Sequence, residues 1–249
     1  MPIPSEKELL DAACHFGHPK QKWNPRIAEY LFGSRKGIHI FDLTKTREGL
    51  ERTCEHLKKL QAEGKVILFV STKQQAIPQI EQMGQELNQP VVTKKWIPGL
   101  LTNWPTIKKR LQYYLDLRTS FQTGTVEKYT KKEQTALRKE LTKLDAALSG
   151  VAHMAGLPDA LFVVDGVRDH VAVAEARKLG IPVFGICDSN ADPEEYTSCV
   201  PANDDAVKSI DIILHTVLVE LSGAKPAAKV EPKAAPVVES SGQVIASSY

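Results

Sequence analysis

The chain has 249 residues, of which 42% are hydrophobic and 25% charged, so a sizeable core is expected and global disorder is excluded. No apolar run approaches the roughly 18 residues of a membrane span, and the N-terminus lacks the basic-then-apolar pattern of a signal peptide. The net charge of +2 hides a division: residues 1–150 carry 25 positive and 16 negative groups, whereas residues 151–222 carry 4 and 12. Such asymmetry suggests two surfaces with different partners, the basic one facing nucleic acid.

In chain order, 37–41 (Gly-Ile-His-Ile-Phe) reads as a strand. An amphipathic helix is expected near 45–63. Val66–Val70 has no polar alternation, as befits a strand buried on both faces. A helix near 73–88, a weak strand at 90–93, and strands at 160–165 and 182–188 flanking a helix at 168–179 complete a strand–helix rhythm. That rhythm argues for a parallel sheet covered on both sides. Residues 104–150 break it. Leu137, Leu141, Leu144, Leu148 and Val151 step by four and three, with Ile107, Leu111, Tyr114 and Phe121 as a matching stripe, which predicts an antiparallel coiled-coil hairpin. Asp192-Pro193-Glu194-Glu195 reads as a helix start. A last helix is expected over 203–222, capped by Asn203 with Asp204 and Asp205 in its first turn. Residues 224–249, rich in Ala, Pro, Lys, Val and Ser, read as a disordered tail. The expected organisation is an α/β domain made of 1–103 and 151–223, interrupted by the hairpin at 104–150.

The loops beyond the carboxyl ends of parallel strands are where ligands bind. The segment after Val70, Ser71-Thr72-Lys73-Gln74-Gln75, has none of the glycines of a dinucleotide or P-loop site. Ser71, Thr72 and Lys73 could meet a nucleic-acid phosphate or simply cap a helix. Asp165, Asp188, Ser189, Asn190, Asp192, Asp204 and Asp205 end strands or begin helices. They could hold a cation, act as acid and base, or orient turns. Cys14, His15 and His18 cluster near the N-terminus, and one of these histidines could complete a metal site with the aspartates. The four cysteines form no CxxC pair and read as ordinary thiols. Two stretches mix cations with aromatic rings. The first holds Lys20, Lys22, Trp23, Arg26, Arg35 and Lys36; the second holds Lys94, Lys95, Trp96, Asn103, Trp104, Lys108, Lys109 and Arg110. Cations attract phosphates and exposed rings stack on unpaired bases, although tryptophans in such stretches also serve as core.

Nine segments in order carry a resemblance: HFGH (15–18), WNPR (23–26), GIHIFDLTKT (37–46), ILFVSTKQQA (67–76), WIPGLLTNW (96–104), LPDALFVVD (157–165), EARKLGIPV (175–183), DSNADP (188–193) and PANDDAVKSI (201–210). On these the chain resembles the ribosomal protein S2 family of the bacterial small subunit, with Ser71, Leu100, Ser189 and Ala202 departing from its usual residues. The resemblance implies a flavodoxin-like three-layer α/β fold with a projecting coiled-coil hairpin. It implies a non-enzymatic, structural role in the small ribosomal subunit, in the cytoplasm. The implied partners are ribosomal RNA, neighbouring ribosomal proteins and the large OB-fold mRNA-binding ribosomal protein, with no membrane. No cofactor is required, but a divalent metal, zinc, is implied, with His18, Asp188, Asp204 and Asp205 as the matching ligands. RNA contact is then expected from Lys20, Lys22, Trp23, Arg26, Arg35, Lys36, Lys73, Lys94, Lys95, Asn103, Lys108, Lys109 and Arg110. The acidic block would face solvent or a protein. The competing reading is a small-molecule enzyme on the same fold, using Asp165, Asp188 and Asp204.

Overall fold

The structure, a computed structural model, describes residues 3–223; the tail expectation for 224–249 lies outside them. The elements in order are α1 (Glu6–Asp11), β1 (Phe16–Pro19), β2 (Leu31–Arg35), β3 (Ile38–Phe41), α2 (Leu43–Ala62), β4 (Ile67–Val70), α3 (Ile77–Leu87), β5 (Val91–Val92), α4 (Trp104–Gln122), α5 (Lys131–Leu148), β6 (Ala160–Val163), α6 (His170–Lys178), β7 (Val183–Cys187), β8 (Ser198–Pro201) and α7 (Val207–Ser222).

Five strands form a parallel sheet in the order β5-β4-β6-β7-β8. This is the flavodoxin-like arrangement, in which the chain reverses direction across the sheet between its first and third strands, here β4 and β6. The two-residue periodicity of a strand sorts its side chains between the layers. Ile67, Phe69, Ala160 and Phe162 pack with α2, α3 and α7 through Leu50, Leu57, Ile80, Met83, Ile213 and Val217. Leu68, Val70, Leu161 and Val163 face the other way, onto Val173 and Ala176 of α6 and onto Leu111, Tyr114 and Leu148 at the root of the helical pair. With both faces covered, every residue of β4 and β6 is buried. That explains their unalternating apolar sequences.

The helices α4 and α5 run antiparallel. Tyr114 Oη donates to Asp145 Oδ1 at 2.7 Å, while one helix turn or more along, the Arg138 guanidinium lies 5.7 Å from the Phe121 ring centre. Residue numbers thus rise along one helix as they fall along the other. A turn through Gly124 (φ +72°) joins them, and α5 opens with a reciprocal cap between Thr130 and Glu133.

Several sequence expectations are corrected here. The strand at 37–41 is not part of the parallel sheet; it is β3, at the centre of a separate antiparallel sheet ordered β1-β3-β2. Lys36 and Gly37 both take positive φ (+50° and +81°), as a two-residue hairpin turn requires, and a hairpin joins only antiparallel strands. Strands β1, β2 and β8 were not expected from the sequence. Ser198-Cys199-Val200-Pro201 has neither an apolar run nor clean alternation, and its terminal proline is tolerated because β8 lies at the sheet edge. The last helix begins at Val207, not 203. Asn203 instead accepts from the backbone N–H groups of Asp205 and Ala206, holding a turn that keeps both aspartates outside the helix. The helix start at 192–195 is a single 3-10 turn.

Candidate functional site

Loops leaving β4, β6, β7 and β8 converge beyond their carboxyl ends, beside the β4/β6 switch point. The small antiparallel sheet is tied over the β7 and β8 end of this convergence. Asn203 N donates to Cys14 O (3.0 Å), Asn24 N to Ser189 O (2.8 Å), and His18 N to Ser189 Oγ (2.7 Å). These bonds carry His18 of β1 into a group of aspartates that lies far from it in sequence.

Lys73, in the loop after β4, is buried at the centre. Its Nζ lies 2.6 Å from Asp204 Oδ1, 2.7 Å from Asp205 Oδ1 and 3.1 Å from Asp165 Oδ2. Asp188, almost fully buried, accepts from Ser189 Oγ and from Asp204 N, and pairs with His18 Nδ1 at 3.0 Å. His18 Nε2 lies 3.5 Å from Asp205 Oδ2. Each charge here reshapes the others. The hydrogen bond that the His18 ring donates to Asp188 raises the imidazolium pKa despite its partial burial, with the neighbouring aspartates adding to the effect. Burial, then repulsion from Asp188 and Asp165, pushes Asp204 up to about 7, although Lys73 pulls the other way. Burial alone would lower the Lys73 ammonium, but Asp204 and its neighbours reverse that and raise it. Burial alone would raise Asp205, but Lys73 lowers it.

Ligand-capable atoms of His18, Asp188, Asp204 and Asp205 lie within 4.8 Å of one another. Two ligands of a tetrahedral zinc ion, with bonds of about 2.0–2.2 Å, lie about 3.3–3.6 Å apart. One imidazole and three carboxylates suit a divalent cation by donor type, with the widest pairs closing by about an ångström to reach that spacing. Asp165 remains as a partner for Lys73.

The expected RNA-contact residues divide. Lys20, Lys22, Arg35, Lys36, Lys94, Lys95, Asn103, Lys108, Lys109 and Arg110 are all exposed. Lys73 is not among them: its charge is spent inside, on three carboxylates. Arg26 is exposed, but its guanidinium pairs with Asp192 and Glu194. Trp23, 37% exposed, stacks on the buried His39 ring with centres 4.8 Å apart. Trp96 is core. The acidity of 151–222 is also partly internal, since Asp165, Asp169, Glu175, Asp188 and Asp204 are buried. The acidic block is therefore much less of a surface than its charge count suggests.

Sequence reasoning missed the residue that shapes the second basic stretch. Glu175, buried on α6, accepts from Trp96 Nε1 (3.0 Å) and Gly99 N (2.7 Å) on Oε1. Its Oε2 accepts from Leu101 N, Thr102 N and Thr102 Oγ1, each at 3.0 Å. Burial would raise its pKa, but these donors overcome that and hold it below the ordinary glutamate value. One carboxylate thereby sets the path of 96–102, which runs from Lys94 and Lys95 to the start of α4, where Lys108, Lys109 and Arg110 stand. The available signal was a glutamate among the alanines and valines of α6, on its buried stripe. Asp169 was missed as well; it accepts from Thr72 N and Thr72 Oγ1 and clamps the β4 and β6 loops together.

The model of the family described as Ribosomal protein S2 matches residues 9–221. Among similar proteins is the small ribosomal subunit protein uS2 of Bacteroides thetaiotaomicron, 42% identical over 230 residues, which are 91% of this chain and 83% of that protein. The uS2 of Bacteroides fragilis is similar to the same extent, 42% over 230 residues with the same shares covered. Among the described residues, no helix is long and apolar enough to cross a membrane. A family match over nearly all of the described chain, on a flavodoxin-like sheet, makes this chain a member of the ribosomal protein S2 family.

Proposed function

We infer that this protein is a structural constituent of the small ribosomal subunit, working in the cytoplasm without catalysis. It holds ribosomal RNA through exposed cations and contacts neighbouring ribosomal proteins. The observation that carries the RNA reading is the root of the helical pair. There Lys108, Lys109 and Arg110 are exposed on one short stretch of α4, and no ion pair engages them among the described residues. Unpaired cations clustered in this way neutralise phosphates and release counterions, so binding weakens steeply with salt. The enzyme alternative has no support. Asp165, Asp188 and Asp204 are occupied by Lys73, by His18 and by backbone N–H groups, and the family match is to a structural protein.

The test is incorporation. Cells expressing the chain with Lys108→Glu, Lys109→Glu and Arg110→Glu should yield small subunits depleted of it on sucrose gradients, with the loss deepening as salt rises. Incorporation equal to wild type would refute the hairpin root as an RNA contact. The same reading includes docking of the OB-fold mRNA-binding ribosomal protein on this chain. It also includes a divalent cation, zinc, held by His18, Asp188, Asp204 and Asp205. Such an ion would neutralise the buried carboxylates and staple the small sheet to the parallel one.

A further inference from the structure

The helical pair carries a groove that phosphate contact does not use. Its apolar stripes do not close over their whole length. Ser120 of α4 and Ala136 of α5 are too small to fill the seam between them, and a groove of about 430 Å3 remains there. It lies toward the turn that joins the helices, since Val126 and Tyr129 of that connection line it. Leu117 and Val126 are buried along it, whereas Tyr113 and Tyr129 stand 43% and 44% exposed. The walls run from Tyr113 to Ser120 on α4 and from Glu133 to Leu137 on α5. At 1.5 Å per residue the groove is about 10 Å long.

Its charge is opposite to that of the hairpin around it. Residues 104–150 hold ten cations and five acidic residues. Among the described residues, Asp116 and Glu133 line the groove and no lysine or arginine does. Both carboxylates are exposed. Asp116 accepts from Gln112 Nε2 and Glu133 from Thr130, and neither forms an ion pair among the described residues. Glu140 supplies a third carboxylate. Burial, then the charge of Glu140 beside it, raises the Tyr113 phenol, with Tyr129 contributing. The rim already accommodates a cation, because Lys128 Nζ lies 5.4 Å from the centre of the Tyr129 ring. Two occupants fit less well. RNA phosphates are repelled by three carboxylates. A third helix needs a longer apolar stripe than two turns. A lysine or arginine side chain matches both halves of the chemistry. Its alkyl stem lies on Leu117 and Leu137, and its charge meets the tyrosine rings and the carboxylates. About three residues of extended chain span the 10 Å.

We propose that this groove docks an extended basic segment of a neighbouring ribosomal protein, one lysine or arginine entering between Tyr113 and Tyr129 with its charge on Asp116, Glu133 and Glu140. This rests on the ribosomal reading above and deepens it. The hairpin then serves two partners: cations at its root meet RNA, and a carboxylate-rimmed groove toward its turn meets protein.

The test has two arms, both on the full chain. In the first, the photo-crosslinker p-benzoylphenylalanine replaces Ala136 in one chain and Ser120 in another. Small subunits assembled in cells and purified on sucrose gradients are irradiated, and mass spectrometry locates the adducts. Both positions should join one segment of a neighbouring ribosomal protein, within about three residues of a lysine or arginine. Adducts to RNA, to residues 224–249 of this chain, to a second copy or to a segment without a cation overturn the proposal, as does the absence of adducts from incorporated chains. In the second arm, the isolated chain is titrated with the acetylated, amidated peptide Gly-Arg-Gly-Lys-Gly and followed through the Ser120 and Ala136 amide resonances. Asp116→Asn with Glu140→Gln should weaken binding about 2- to 30-fold, and Tyr113→Ala about 2- to 5-fold. Equal affinity for Gly-Glu-Gly-Glu-Gly, or no shift at either amide, overturns the proposal. If the wild-type chain does not enter small subunits at all, the ribosomal reading itself fails and the docking partner falls with it, an outcome that the gradients separate from the others.

Discussion

Glu175→Gln removes almost nothing from the molecule except one charge and one acceptor. Volume, rotamer set and helix propensity are nearly conserved. The five groups that point at Glu175 are all donors: Trp96 Nε1, Gly99 N, Leu101 N, Thr102 N and Thr102 Oγ1. An amide offers one acceptor oxygen and an NH2 group. If the oxygen faces Leu101 and Thr102, the NH2 meets Trp96 Nε1 and Gly99 N head-on; in the other orientation it meets three donors. At least two buried or half-buried donors lose their partner, at about 1–3 kcal/mol each, and the remaining bonds lose their ionic strengthening. A destabilisation of about 3–5 kcal/mol is expected, because the donors share one loop and their losses do not add fully. For a chain of this size that corresponds to a melting temperature lower by roughly 6–20 °C.

The sign with pH follows from the depressed pKa. The carboxylate stabilises the fold above its unfolded pKa, near 4.3, and that contribution fades as acid protonates it through its lower folded value. The gap between wild type and Glu175→Gln should therefore be full at pH 7 and narrow below about pH 4. Thermal melts at both pH values measure it, and hydrogen exchange at Gly99, Leu101 and Thr102 localises it. A variant melting within about 1 °C of wild type at pH 7, with those amides still protected, would refute the reasoning.

Lys73→Met, in chelator-treated protein at neutral pH, should cost about 3–5 kcal/mol by leaving Asp204 and Asp165 uncompensated in the interior; unchanged urea midpoints would contradict this. Tyr196 Oη is buried without a hydrogen-bond partner among the described residues, so Tyr196→Phe should be neutral or stabilising in the same assay. A methyl added at Gly166 would lie 2.0 Å from that hydroxyl oxygen, so Gly166→Ala should destabilise by about 1–3 kcal/mol, with part of the loss recovered in combination with Tyr196→Phe. Elemental analysis of the native protein should find close to one zinc per chain, and His18→Ala should lose it. Absence of zinc from the wild type would remove the ion from the account.

The continuous apolar runs at 67–70 and 160–163 announced strands buried on both faces, because covering both faces removes any reason for polar alternation. The stepped leucines of 137–148 announced the helical pair in the same way, since one stripe must be hidden. Local pattern also marked the exposed lysines of α4, because nothing in a solvated helix face depends on distant residues. The registers of β1, β2 and β8 were not legible. Short strands of mixed character owe their conformation to the partner that pairs with them, and Lys36-Gly37 decides that pairing only once two positive φ values are present. The roles of single charged residues were the least legible. Lys73 and Lys108 are the same residue type in similarly mixed surroundings, yet one lies among three carboxylates and the other in solvent. Glu175 likewise reads as any helix glutamate until 96–102 folds over it. Sequence alone determined the long helices and the strands made of continuous apolar runs, together with membership of the family, because these are written in local periodicity and ordered motifs. Only tertiary structure decided which charges are spent inside, because whether a charge is solvated or paired depends on groups up to 187 positions away in the chain, as Asp205 is from His18.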